Sequence, residues 1–63
     1  MKTLSIQALK NICNFCDNNN IAITIVKNDI QVYKDFINNE YITIVYNGSY
    51  KKVIEEIKKY FNM

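Results

Sequence analysis

Residues 21–46, IAITIVKNDIQVYKDFINNEYITIVY, decide the fold of this chain. Residues 21–26 alternate isoleucine with smaller side chains, residues 41–46 place Ile42, Ile44 and Tyr46 on one face, and residues 30–33 alternate over a shorter length. Strict alternation predicts β-strands that bury one face. Because short Asn-rich segments separate the strands, we expect consecutive strands to pair in an antiparallel meander.

The connections between the strands are predicted from their turn residues. Asn28 and Asp29 tolerate positive φ, which favours a two-residue hairpin turn that pairs Ile25 with Val32. That register places Lys34 on the buried face, so we expect the second strand to end or bulge near Lys34.

The segment before the third strand is expected to return to the core. Phe36 and Ile37 are predicted to fold back onto the apolar interior, and Asn38-Asn39 to form the turn that follows.

Helical periodicity flanks the strands on both sides. Residues 5–18 place their apolar side chains on one broad face, with Ser5 as the N-cap. After Asn47-Gly48-Ser49, residues 50–62 show the same spacing. The prediction is one α+β domain spanning residues 1–63, with the order α-β-β-β-α and a three-stranded antiparallel meander with both helices packed on one face.

Composition narrows the classes of partner. The net charge is +2 and all eight cations are lysines. This charge permits a nucleic-acid partner without requiring one, and the absence of arginine argues against sequence-specific reading of DNA. No apolar run approaches the roughly 20 residues that span a bilayer, and the first 15 residues have no apolar signal-peptide core. We therefore expect a cytoplasmic protein without a membrane partner.

The chain lacks the residues that most catalytic sites need. It has no histidine and one glycine, so Ser–His or Cys–His pairs and phosphate-cradling loops are absent. Glu55 and Glu56 are adjacent, but a helix turns them about 100° apart. We expect no enzymatic activity, no catalytic residues and no cofactor.

Cys13-Asn-Phe-Cys16 has the C-x-x-C spacing. Both thiols fall in the C-terminal half of the predicted helix, where the helix dipole opposes a thiolate. Zinc needs four ligands, which one chain supplies only by sharing the metal with a second copy. We interpret both cysteines as core residues and expect no metal site.

The side of the sheet away from the helices is the preferred binding surface. We call it the open face, and it consists of the strand residues that point away from the isoleucines: Ala22, Thr24, Val26, Gln31, Tyr33, Tyr41, Thr43 and Val45. Tyrosine is enriched at interface hot spots. The predicted partner-binding residues are Tyr33, Tyr41, Thr43, Val45 and Gln31. The competing interpretation is that such side chains are ordinary for an exposed strand face.

Two other features are candidates for binding. Lys51 and Lys52 lie in the first turn of the second helix, where the dipole disfavours cations and an anion would relieve the cost; Glu55 and Glu56 one turn later are the alternative compensation. The two sheet edges, residues 21–26 in particular, offer unpaired backbone groups to an added strand.

The order of elements and the segment Gly48-Ser49-Tyr50-Lys51-Lys52 resemble a double-stranded-RNA-binding domain. The resemblance implies that Lys51 and Lys52 contact phosphates of an RNA duplex. In place of that family's long loop between the first two strands, this chain has Asn28-Asp29.

The preferred function is a small non-enzymatic protein-binding module that occludes a larger target. Compact inhibitors encoded by phages and mobile elements, including anti-CRISPR proteins, act in this way, and a chain of 63 residues without catalytic groups is of this kind. The alternatives are a nucleic-acid-binding domain that uses Lys51 and Lys52, and a homo-oligomeric structural protein such as a homodimer.

Overall fold

The structure, a computed structural model that describes residues 3–63, contains two helices and three strands. They are α1 (Ile6–Asn18), β1 (Ala22–Val26), β2 (Asp29–Asp35), β3 (Glu40–Val45) and α2 (Tyr50–Tyr60). The strands form one antiparallel sheet in the order β1-β2-β3. The predicted α+β meander is therefore confirmed, with each element within a few residues of its predicted bounds.

Both helices cover one face of the sheet, which we call the covered face: Ile23, Ile25, Ile30, Val32, Ile42 and Ile44. α1 packs on β1, α2 packs on β3, and the helices contact each other. Ile12 of α1, Ile30 and Val32 of β2, and Ile57 of α2 are completely buried. The core thus forms where the two helices meet over the central strand.

The first helix begins and ends as its sequence predicts. The Ser5 Oγ accepts a hydrogen bond from the Ala8 backbone N–H at 3.1 Å, which satisfies a free donor of the first turn. Ile6 is 76% exposed, although its position in the apolar periodicity predicts burial.

In residues 3–63, neither helix has the length and apolar character needed to cross a membrane.

The predicted hairpin turn at Asn28-Asp29 is wrong by one position. The turn is Lys27-Asn28, between the paired residues Val26 and Asp29. Ile25 consequently pairs with Ile30 rather than with Val32. The partner of each β1 residue moves by two, so the same side chains stay on the covered face, and alternation alone cannot separate the two registers.

Contacts distant in sequence fix the turn where it is. The Leu4 N–H donates to the Asn28 Oδ1 at 3.1 Å, and the Tyr46 N–H donates to the Asn28 carbonyl oxygen at 2.8 Å. These bonds hold Asn28 between the start of α1 and the end of β3. Lys27 then takes a left-handed φ of 57°, which costs a lysine roughly 1 kcal/mol.

The segment after β2 differs from its prediction. The expected irregularity near Lys34 is confirmed, since the β2–β3 register shifts between Tyr33 and Asp35. The expectation that Phe36 and Ile37 pack on the core is wrong, because they are 64% and 93% exposed. Residues 36–39 form a tight turn between the paired Asp35 and Glu40. That turn is too short to return Phe36 to the helix side.

Candidate functional site

The open face is exposed, as predicted. Its residues come from alternating positions that point away from the helices, and the registers align them in rows across the strands. Thr24, Gln31 and Thr43 form the middle row. Val26 and Val45, which are 58% and 62% exposed, flank Asp29 at one end of the sheet.

An aromatic cluster, consisting of Tyr33, Phe36 and Tyr41, occupies the opposite end of the open face. The ring centroids of Tyr33 and Tyr41 are 5.0 Å apart, and those of Tyr33 and Phe36 are 4.9 Å apart in an edge-on arrangement. The Tyr33 hydroxyl donates to the Gln31 Oε1 at 3.1 Å. These contacts and the hydroxyl bond orient the three rings relative to one another.

The structure brings all five predicted partner-binding residues onto this one face. Tyr33 and Gln31 are half-buried against their neighbours, while Tyr41, Thr43 and Val45 are exposed. The sequence prediction omitted Phe36. The signal that identifies Phe36 is the irregularity at Lys34, since an extra residue in a strand reverses which later side chains point outward.

Hydrogen bonds at the end of β2 hold Phe36 beside Tyr33. The Asp35 carboxylate accepts from the Asn38 backbone N–H at 3.1 Å and from the Asn38 Nδ2 at 2.6 Å. The Asn38 side-chain bond, together with its backbone bond, lowers the pKa of Asp35. The turn that carries Phe36 is therefore closed by an ionised carboxylate at neutral pH.

Cations are kept away from the open face. In the described part of the chain, the lysines lie on α1, in the first hairpin turn, beside α2 or on α2: Lys10, Lys27, Lys34, Lys51, Lys52, Lys58 and Lys59. The Lys34 Nζ stands 4.7 Å from the centre of the Tyr60 ring, on the helix side of the sheet. The outward strand positions therefore carry apolar, hydroxyl and amide groups, and Asp29 is the charged residue among them.

Lys51 and Lys52 lie apart from that face, both exposed in the first turn of α2. That turn contains no acidic residue, and the Ser49 side chain makes no capping hydrogen bond. The structure does not bring these lysines together with Tyr33 or Tyr41, so the two predicted sites are separate surfaces.

The two cysteines lie in the core and at its margin: Cys16 is buried and Cys13 is half-buried. Cys16 is buried, and burial is the main cause that raises the pKa of its thiol to about 11, with smaller contributions from Cys13 and Asp17. A thiol with a raised pKa is a poor nucleophile at neutral pH. Within residues 3–63, no group of three or more His, Cys, Asp or Glu side chains is arranged to hold a metal ion.

Comparisons with known proteins assign no function to the open face, which is therefore interpreted from its own residues. No family model, no curated protein and no solved structure matches this chain.

Proposed function

We propose that this protein is a non-enzymatic binding module that acts in the cytoplasm by docking the open face onto a larger protein and occluding part of its surface. The observation that carries the proposal is the aromatic cluster on a face without lysines. Phe36 and Tyr41 are 64% and 40% exposed, yet their positions are set by contacts with Tyr33. Aromatic residues are enriched at protein interfaces, and tyrosine is enriched at their hot spots.

Charge favours a protein partner over nucleic acid for this face. A surface that binds phosphates needs lysine or arginine, whereas the open face has neither and carries Asp29. The middle row of threonine and glutamine offers hydroxyl and amide groups for hydrogen bonds beside the apolar ends. An inhibitor of the anti-CRISPR kind, encoded by a phage or mobile element, is the class of occluding protein that we propose.

The test compares two single substitutions of exposed apolar residues. Phe36→Ser alters the open face, and Ile6→Ser alters α1 on the opposite side of the molecule; the two side chains are 64% and 76% exposed. Tagged wild type and both variants are used to retain proteins from lysates of the cells that produce the chain. The expected result is a protein retained by wild type and by Ile6→Ser and lost with Phe36→Ser. Equal retention by all three proteins contradicts the proposal.

A second candidate is a nucleic-acid-binding function of Lys51 and Lys52. The feature that favours it is the first turn of α2, which has two exposed cations and no acidic residue. Binding through these lysines weakens steeply with salt because it releases counterions. Lys51→Gln/Lys52→Gln is expected to abolish low-salt binding to a short RNA duplex. Lys58→Gln/Lys59→Gln, with the same loss of charge in the last turn, is the control that retains it; no binding by wild type dismisses this candidate.

A further inference from the structure

We infer that two copies of this chain pair through the outer edge of β3, in antiparallel register about Thr43, to form one continuous six-stranded sheet. The inference does not rest on the proposed function. It concerns the backbone of β3 on the side away from β2, which we call the β3 edge.

The hydrogen-bond pattern identifies the groups that the β3 edge presents. The Tyr46 N–H donates to the Asn28 carbonyl oxygen, which makes Asn28 and Tyr46 a bonded pair in line with the β2–β3 register. Bonded and non-bonded pairs alternate in an antiparallel ladder. Ile42 and Ile44 therefore direct their backbone groups toward β2. The backbone groups of Tyr41, Thr43 and Val45 point outward from the sheet.

Nothing in the sequence of β3 protects this edge. Natural edge strands are blocked by lysine, proline, bulges or a covering segment. β3 reads EYITIV, with its charge at the first residue, and its register with β2 is regular from Tyr41 to Val45. The side chains of Tyr41, Thr43 and Val45 are exposed.

The β1 edge differs, although β1, AITIV, contains no charged residue. The Ile21 N–H is already bonded to the Cys16 carbonyl oxygen at 2.9 Å. At the other end of β1, Leu4, Leu9 and Ile25 line one open groove. In residues 3–63 no hydrogen bond reaches the outward backbone groups of Tyr41, Thr43 and Val45, so we assign the pairing to the β3 edge.

β3 is complementary to itself when a two-fold axis passes through Thr43. The outward-pointing residues are spaced symmetrically, so Tyr41 meets Val45 of the second copy and Thr43 meets Thr43. About six backbone hydrogen bonds result. Aromatic–β-branched and Thr–Thr neighbours are favourable cross-strand pairs. On the covered face the same register pairs Ile42, which is half-buried, with Ile44 of the second copy.

Charge beside the edge is compatible with this arrangement. A groove of about 600 Å³ runs between the end of β3 and α2, and Lys52, Glu56 and Lys59 are among the residues that line it. The two-fold axis brings this side of α2 near the same side of α2 in the second copy, with the two helices running in opposite directions. Because this side of α2 carries both lysines and a glutamate, the two copies repel each other less than surfaces of a single charge would.

Stacking two open faces is the other way to form a dimer, and it covers the aromatic cluster of both copies. Pairing at the β3 edge leaves the open faces uncovered and joins them side by side. The dimer therefore presents to another protein a continuous face of twice the width.

Sedimentation equilibrium of the purified full chain tests the pairing. Wild type is expected at twice the chain mass of 7.4 kDa. Thr43→Lys places like charges directly opposite each other across the axis and is expected to give monomers. Thr24→Lys, the same change on the open face of β1, is the control that remains dimeric. Circular dichroism establishes that both variants are folded.

Mixing variants distinguishes edge pairing from general disruption. Thr43→Glu alone is expected to be monomeric, whereas an equal mixture of Thr43→Glu and Thr43→Lys regains the dimer mass, because opposite charges then face each other. A monomeric wild type, loss of the dimer in Thr24→Lys, or failure of the mixture to associate each overturns the inference. Mass is measured without any target protein, so this result is independent of the lysate test of Phe36→Ser.

Cross-linking gives a second readout of the register. Residues in a bonded antiparallel pair have Cα atoms about 5.5 Å apart, within the range that a disulfide spans. Thr43→Cys is expected to form a covalent dimer on mild oxidation, and Thr24→Cys in the same background is expected to stay monomeric under denaturing, non-reducing electrophoresis. Equal cross-linking of the two variants contradicts pairing at Thr43.

Discussion

The covered face and the open face of the sheet contain similar residue types, but these residues have different roles on the two faces. Val32 on the covered face is completely buried, whereas Val26 on the open face is 58% exposed. Each buried aliphatic side chain contributes about 1.5–3 kcal/mol, and a domain of this length needs most of that stabilisation to offset chain entropy. Because successive side chains of a strand point to opposite faces, one set stabilises the fold and the other set forms the exposed surface.

Replacing one valine on each face tests that separation most directly. Val32→Ala leaves a cavity under both helices and is expected to lower the free energy of unfolding by about 2–4 kcal/mol. Val26→Ala removes the same atoms from solvent-exposed surface and is expected to change it by about 0.5 kcal/mol or less. Urea unfolding followed by circular dichroism measures both, and similar losses from the two variants contradict the assignment of the faces.

The cysteines provide a smaller contrast between the core and its margin. Cys16 is buried and Cys13 is half-buried on the same helix. Cys16→Ser introduces a hydroxyl where a thiol packs against apolar neighbours, and we expect a loss of about 1–3 kcal/mol. Cys13→Ser, as the matched control, is expected to cost about 1 kcal/mol or less. A larger loss of stability from Cys13→Ser than from Cys16→Ser contradicts the assignment of Cys16 to the core and of Cys13 to its margin.

The raised pKa of Cys16 adds a pH dependence with a definite sign. Burial raises the pKa from its ordinary value of 9.0 to about 11, so between these values the folded state keeps a proton that the unfolded state loses. The contribution of this thiol to stability is complete below pH 9 and falls as the pH rises toward 11. Cys16→Ser lacks the thiol, and its unfolding free energy is expected to fall less than that of wild type over this range.

The arrangement of the covered face is largely predictable from sequence, because alternation and helical periodicity decide which side chains avoid water. The register of β1 against β2 is less predictable from sequence. Lys27-Asn28 and Asn28-Asp29 both give a two-residue turn with the isoleucines inside, and the choice depends on hydrogen bonds to Asn28 from Leu4 and Tyr46. Such contacts, distant in sequence, have no local pattern.

The open face follows from the same alternation, but its most exposed aromatic residue does not. Phe36 is apolar, and hydrophobicity alone assigns it to the core. Its position depends on the register shift after Tyr33 and on the closed turn between Asp35 and Glu40, both consequences of backbone geometry. Both sheet edges are predicted from sequence as candidate binding sites, with residues 21–26 preferred, but which backbone groups of β3 point outward depends on the hydrogen-bond register.

The smallest expected effect concerns how firmly the turn holds Phe36 over the open face. Asn38→Ala removes the 2.6 Å bond from the Asn38 Nδ2 to the Asp35 carboxylate and leaves the backbone bond in place. The pKa of Asp35 is therefore expected to rise part of the way toward its ordinary value of 3.8. Ile37→Ala, a change of the adjacent and 93% exposed side chain, is the control that leaves this pKa unchanged.

An NMR titration of the Asp35 side chain in the three proteins measures this shift. Because the folded state lowers this pKa, the stabilising contribution of the carboxylate is present above its ordinary pKa and is lost as the pH falls through the folded value. Below that value wild type and Asn38→Ala are expected to converge, and the chemical shifts of the Phe36 ring, which lies 4.9 Å from Tyr33, are expected to move toward those of a free side chain. If the Asp35 pKa is the same in Asn38→Ala and in wild type, the Asn38 side chain does not help to close the turn, and the backbone N–H groups of Ile37 and Asn38 hold the carboxylate without it.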